Sequence, residues 1–371
     1  MSRHLPLLLL LLLPVAFAQV PDLAGCLAKA HADAAWGQAR YPSLRVAGAF
    51  ALSGDGSLLA VGVDDNIYWS ELIAFDTKTG KPLWRVQAYH APAAVAISLD
   101  GTMVAGSYSD RSCELPEVQR LDAVTGKELP LEGADILRMA GVTFSRDGAR
   151  LAAGGKTVLV WDATTGRKLR EIALPEIHPN GFVPDLDSLA FSPDGTKLAG
   201  AGGWGNYVWD VATGRLLHDF HEGGTDVVFS PDGKLLAEGT DSGMDVWRVE
   251  TGAVAATVKP RPSEKRSMWP VGFKDARHLV IHDAAGVELL DVGEALTGRK
   301  MVPVPFKGFK GVPVLLAGGK LVGVEIVNKS GVQPSEAQRL ILYDEKGAVI
   351  QSFEIPPRMA DPAPGGTKEL R

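Results

Sequence analysis

The chain has 371 residues, 46% hydrophobic and 22% charged, the balance of an ordinary globular protein rather than a disordered or fibrous one. Its formal net charge of −6 gives no basic field to hold a phosphate backbone, which excludes nucleic acid as an expected partner. Length alone would allow two or three domains, but a repeat runs through most of the chain and leaves no room for a second one.

Residues 1–18 read as a signal peptide. Arg3 and His4 form a short positive region, Leu5–Val15 is apolar with seven consecutive leucines, and Ala16-Phe17-Ala18 is a small-x-small cleavage site. The apolar stretch falls short of the ~20 residues a membrane-spanning helix needs. Secretion, with a mature chain starting at Gln19, is the expectation, and no transmembrane span is expected.

Residues 19–46 come next, read as a helix followed by a lead-in strand. Asp22 can N-cap an amphipathic helix running through Leu23, Leu27, Ala30 and Ala34. A second reading competes here, because Leu23-Ala24-Gly25-Cys26 resembles the processing site of bacterial lipoproteins, whose cysteine is acylated. Gln19–Asp22 separate it from the apolar region, and Asp22 is poorly placed for a peptidase working at the membrane face. Soluble secretion is favoured, with a lipid anchor at Cys26 as the alternative. The only other cysteine is Cys113, and an even count in an oxidising compartment favours a disulfide between the two. Two buried thiols are the alternative, and a bridge and a lipid anchor exclude each other.

From residue 47 to 355 the chain repeats. Asp-Gly steps close Ser53–Gly56, Ser98–Gly101, Ser145–Gly148, Ser192–Gly195 and Ser230–Gly233, 45, 47, 47 and 38 residues apart, with eroded copies at Lys274–Ala276 and Ala317–Gly319. About two dozen residues after each comes a second bend, Asp-x-x-Thr-Gly or a relative: Asp76–Gly80, Asp122–Gly126, Asp162–Gly166, Asp210–Gly214, Arg248–Gly252, Asp291–Gly298 and Asp344–Gly347. A period of about 40–45 residues with four short strands per unit is that of a β-propeller. Seven blades are predicted, starting near Ala47, Ala93, Ala140, Ser188, Thr225, Pro270 and Gly311. In the clearest unit, strand a is Ser188–Ser192, b is Lys197–Ala201, c is Asn206–Asp210 and d is Arg215–Phe220. Residues 356–371, rich in Pro and Gly, read as a disordered tail.

Val160-Trp161-Asp162, Val208-Trp209-Asp210 and Val246-Trp247-Arg248, with FSPDG at Phe191 and Phe229, resemble WD-repeat propellers of the bacterial type. That family also carries a buried His–Asp–Ser/Thr–Trp relay, and the resemblance implies at most one partial copy, His221–Asp241–Trp247; His90 is a poorer fit, and Gly155 and Gly203 stand where the Asp belongs. Ala74–Trp84 is similar to the tryptophan motif of quinoprotein dehydrogenases, but it occurs fully once and without their vicinal cysteines. Trp84 is therefore read as packing under the next blade.

Catalytic constellations are absent from the sequence: no Gly-x-Ser-x-Gly, no His-Glu-x-x-His, no Cys-x-x-Cys, no phosphate-cradling glycine loop and no calcium-loop spacing. No cofactor or metal is expected. Loop length says more. The a–b turns are uniformly short, and of the c–d bends on the same face only the sixth is lengthened. The opposite face carries long b–c connections in blades one (Asp64–Ser70), two (Tyr108–Glu117) and seven (Asn328–Ala337), and long d–a connections before blades four (Leu174–Asp187) and six (Lys259–Trp269). Insertions on a rigid scaffold are where recognition sits. The candidate partner-binding residues are Asp64, Asp65, Tyr68, Trp69, Tyr108 and Arg111 in the first cluster, and Arg261, Arg266 and Trp269 in the second.

The expected function is a non-enzymatic, secreted or envelope-associated scaffold binding a protein or peptide on that face. Two alternatives remain open. One is an enzyme of the central channel (lactonase, lyase or quinoprotein-like oxidoreductase), which would need polar residues at the starts of the a strands, where Ala, Val and Gly predominate. The other is a carbohydrate-binding propeller stacking sugars on exposed Trp69 and Trp269.

Overall fold

A computed structural model describes residues 46–64, 70–88, 92–108, 118–134, 139–175, 186–220, 223–240, 243–259, 268–283, 286–293, 304–308, 310, 312–316, 319–328 and 338–356. They form seven four-stranded antiparallel sheets, each from four strands consecutive in sequence. This is the predicted seven-bladed propeller. The blades open at Val46, Pro92, Met139, Ser188, Gly224, Trp269 and Val312, each within one residue of its predicted start. In blade four, strands a to d are Ser188–Phe191, Lys197–Gly202, Gly205–Asp210 and Leu216–Asp219. Strand d stops one residue short of its predicted end, although the Phe220 N–H still reaches the Asn206 carbonyl at 2.9 Å. The helix expected in residues 19–46 and the tail from 357 onward lie outside the described residues.

The short turns explain the regularity. In each intact a–b turn the Ser hydroxyl donates to the Asp carboxylate two residues on, at 2.7 Å from Ser53, 2.7 Å from Ser98, 2.5 Å from Ser145, 2.6 Å from Ser192 and 2.6 Å from Ser230. The same oxygen accepts the N–H five residues on at 2.9–3.0 Å, where strand b begins. The glycine that follows adopts φ of 68° to 73°, a left-handed conformation that side chains resist. The c–d bends use a different device. Asp76, Asp122, Asp162 and Asp210 accept the N–H of the Thr three residues on at 2.6, 2.7, 2.7 and 2.8 Å, and that Thr's hydroxyl as well.

The core lies between blades rather than within them. Seven buried clusters correspond to the seven interfaces between neighbouring blades. Trp161 and Trp209 on the c strands are 0% and 1% exposed; burying a side chain of this size stabilises by roughly 3 kcal/mol. The ring closes the same way. Leu59, Val61, Ile73 and Phe75 of blade one meet Val322, Val324, Leu340 and Phe353 of blade seven, with Phe75 and Phe353 edge to face at 5.5 Å. Among the described residues no strand is exchanged between the first and last sheets.

A second device ties the blades together. Side chains reach a carbonyl in the c–d bend of the following blade: Trp84 Nε1 to Ala123 at 2.7 Å, Arg120 Nη1 to Ala163 at 2.5 Å, Arg170 Nε to Ala212 at 2.9 Å, His218 Nε2 to Val249 at 2.8 Å, and Gln351 Nε2 to Lys78 at 3.0 Å. Four side chains of three other types thus do what Trp84 does. Of the partial relay, His221 and Asp241 lie outside the described residues. The Trp247 ring stacks on Phe220 at 4.2 Å, and its buried Nε1 has no partner among the described residues.

Candidate functional site at the channel mouth

Register places the starts of strands a and c and the ends of strands b and d at one face. In blade one Val46 pairs with Asp64, Asp64 with Ser70, and Ser70 with Ala88. Three of the candidate binding residues therefore stand on this face. Asp64 ends strand b of blade one, Tyr108 ends strand b of blade two opposite Pro92, and Trp269 opens strand a of blade six opposite His282. Trp269 is half-buried, with its ring 6.1 Å from that of His282, so it is not the open stacking platform the sequence suggested. Asp65, Tyr68, Trp69, Arg111, Arg261, Arg266, Cys26 and Cys113 lie outside the described residues.

The inner ends of the a strands enclose the channel mouth on this face, a recess of about 340 Å³. Its wall is apolar along blades one to three, through Ala49, Phe50, Ala94, Val95 and Val142. Ala, Val and Gly predominate along these blades, as expected, but at blades four and five Asp187, Ser188 and Asp226 also line the mouth. Blade five has a bulge here, since its register slips between Gly224 and Val227. Bulges kink a strand and re-aim its side chains. Gly224 permits this one, because a Cβ there would meet the Gly239 carbonyl and the Asn206 amide, both at 2.7 Å.

Burial pushes the Asp226 carboxyl above the ordinary range, and the neighbouring Asp187 charge adds to the rise, against a hydrogen bond from Ser188 that lowers it. Ser188 Oγ also accepts the Val227 N–H at 3.4 Å, so one hydroxyl ties the two blades at the mouth. The result is a pair of carboxylates from adjacent blades facing an otherwise apolar recess. Such a pair can receive a cation or share a proton. Among the described residues no group of three or more His, Cys, Asp and Glu could hold a metal ion, and no helix is long and apolar enough to cross a membrane.

Sequence reasoning missed this pair. Asp187 ends the long connection before blade four, and Asp226 interrupts an apolar run, Val227-Val228-Phe229. A charge at a position that should be apolar was the available signal.

No family model matches the chain. Centriole proteome protein 16 of Chlamydomonas reinhardtii is 39% identical over 84 residues, 22% of this chain and 4% of that protein. WD repeat-containing protein 1 of Xenopus tropicalis is 33% identical over 90 residues, 24% of this chain and 14% of that protein. The chain thus matches only a small part of either relative's length. Among solved structures, that of U3-55K superposes with a TM-score of 0.56 at 18% identity, covering 76% of this chain and 89% of the other. With its seven sheets, the chain is a WD-repeat-like β-propeller, a scaffold compatible with protein interaction; these relatives do not narrow the resemblance to the bacterial type.

Proposed function

We propose that this propeller is a non-enzymatic interaction scaffold, secreted or held at the cell envelope, that binds a basic protein segment on the face bearing the long connections. A Lys or Arg side chain of the partner enters the channel mouth between Asp187 and Asp226. The observation that carries this reading is the convergence of those two carboxylates, from different blades, on an apolar recess of about 340 Å³. A charge held away from water gains most from an opposite charge. The connections that carry Asp64, Asp65, Tyr68, Trp69, Tyr108, Arg111, Arg261 and Arg266 surround the mouth on this reading and bind the flanking residues.

The test is capture from the organism's own envelope fraction by the mature protein, with Asp187→Asn and Asp226→Asn variants in parallel, followed by titration of synthetic peptides from the captured partner. Replacing the partner's cationic residue by norleucine, or Asp226 by Asn, should weaken binding by tenfold or more, with a smaller loss from Asn at the exposed Asp187. Binding indifferent to both changes would sink the reading. Intact mass of the purified protein tests the location: a chain starting at Gln19 with Cys26 and Cys113 bridged supports secretion, and an acylated Cys26 supports the envelope.

The same pair supports a second reading, a channel-centred lactonase or lyase, since a carboxyl held high beside another carboxylate suits proton transfer. Asp226→Asn would then abolish turnover of a small substrate while leaving protein capture intact.

A further inference from the structure

We propose that the groove between blades four and five, on the face of the short turns, binds a phosphomonoester or sulfate dianion through Arg215, Lys234 and Arg248. The site goes beyond the interaction face and lies at the other end of the blades. It starts from a break in the repeat. Asp76, Asp122, Asp162 and Asp210 hold the c–d bends of blades one to four by accepting the Thr N–H three residues on. In blade five the equivalent residue is Arg248. The bend keeps its backbone bond, Gly252 N–H to the Arg248 carbonyl at 2.8 Å, and its glycine φ of 68°. What it lacks is the carboxylate acceptor for Thr251. The structure thus gives up a local hydrogen bond and gains an exposed guanidinium.

That guanidinium opens on a groove of about 640 Å³ whose lining also includes Lys197, Arg215, His218 and Lys234, with Asp232 and Glu250 as the carboxylates. Four fixed cations and two carboxylates line it, with Asp210 close enough to Arg215 and Lys197 to feel their charge, on a chain whose net charge is −6. Three backbone segments are locked together here. The Val249 N–H donates to the Lys234 carbonyl at 2.9 Å, and the Val249 carbonyl meets His218 Nε2 at 2.8 Å. Facing a carbonyl, Nε2 carries the proton, so His218 acts as a brace and not as the anion ligand.

The cations are available. Asp232 is engaged by its own turn, accepting from Ser230 Oγ at 2.6 Å and the Lys234 N–H at 3.1 Å. Its contact with Lys234 Nζ is 3.9 Å, and that lysine side chain is 81% exposed. Arg215 and Arg248 form no ion pair among the described residues. Two guanidinium forks and an ammonium on one groove match a tetrahedral dianion, which Arg binds bidentately.

Isothermal titration of the full folded chain with inorganic phosphate, at an ionic strength fixed with chloride, tests the site. Vesicles of phosphatidylcholine with and without phosphatidic acid distinguish a free anion from a headgroup. Wild type should bind phosphate, the phosphatidic acid vesicles or both in preference to chloride and plain vesicles. Arg248→Asp restores the repeat's own acceptor, so it should fold at least as stably while binding weakens by tenfold or more. Arg215→Gln provides a second variant should Arg248→Asp misfold, with the same loss expected. Preference for neither probe, or a folded variant that binds as wild type does, overturns the proposal.

Discussion

The two ends of the blades treat the same side chain in opposite ways. On the short-turn face, Asp55, Asp100, Asp147 and Asp194 are held below the ordinary carboxylate range first by a Ser hydroxyl, Asp194 at about 2. Asp76, Asp122, Asp162 and Asp210 are held low by the N–H and hydroxyl of a Thr. At the opposite mouth, burial holds Asp226 high. The first group meets donors supplied within five residues of its own turn, and its charge is part of the fold. The last faces a recess with one hydroxyl and another carboxylate, and on the proposed reading its charge meets a cation of the partner. A carboxylate satisfied locally belongs to the scaffold, and the one left high by burial at Asp226 is the one on which the proposed binding rests.

The scaffold side of this comparison gives the largest effects. Gly166 has φ of 76°, and a Cβ there would fall 2.0 Å from the Pro130 carbonyl of the preceding blade. Gly214 has φ of 74° and would meet nothing closer than Ile172 Cγ1 at 3.6 Å. Alanine at Gly214 should cost about 1–2 kcal/mol, the strain of a left-handed residue. At Gly166 overpacking against backbone adds roughly 1–3 kcal/mol more. Equal losses in urea melts would mean that blades three and two do not approach as described.

Next in size is the turn itself. Ser192→Ala removes one oxygen that both donates to Asp194 and accepts the Lys197 N–H at 2.9 Å, and should cost about 1–2 kcal/mol. The pH dependence follows from the sign of the shift. A folded-state pKa lowered to about 2 stabilises the fold above the unfolded value of 3.8, and that contribution is lost as pH falls from there through 2. Ser192→Ala should therefore be most damaging at neutral pH, with the gap to wild type narrowing in acid. A gap independent of pH would show that the hydroxyl acts on the strand alone.

How far the sequence reveals all this depends on how local each interaction is. The Ser-x-Asp-Gly and Asp-x-x-Thr-Gly devices close within five residues, so composition and spacing displayed them and with them the blade count. The struts between blades were hidden because they join residues 31 to 43 positions apart, or 273 for Gln351 and Lys78, and use whichever donor reaches the carbonyl. Trp84 was legible only because its motif resembles one used in other propellers. The mouth fell between these cases. Asp226 was visible as a charge within an apolar strand, but nothing local reported the bulge that aims it or the approach of Asp187 from the next blade. Trp269 shows the opposite error, a large aromatic near a loop that is half-covered once His282 stands opposite it.

The smallest expected effect is also the one that separates the two ends of the blades most directly. Asp226→Asn keeps an acceptor for the Ser188 hydroxyl and removes only the charge. A carboxyl with a raised folded-state pKa contributes stability that is fully present below its unfolded value and lost as pH rises through the folded value. In wild type that loss sets in as Asp226 ionises, against burial and beside Asp187. The Asn variant does not suffer it, so its stability relative to wild type should rise slightly as pH rises from acid. The same substitution at Asp194 should do the reverse, lowering stability at neutral pH, because there the charge is bound by donors. Should Asp226→Asn instead destabilise the protein at pH 7, its carboxylate would be a structural anchor like those of the turns, and the channel mouth would lose its claim to be a site.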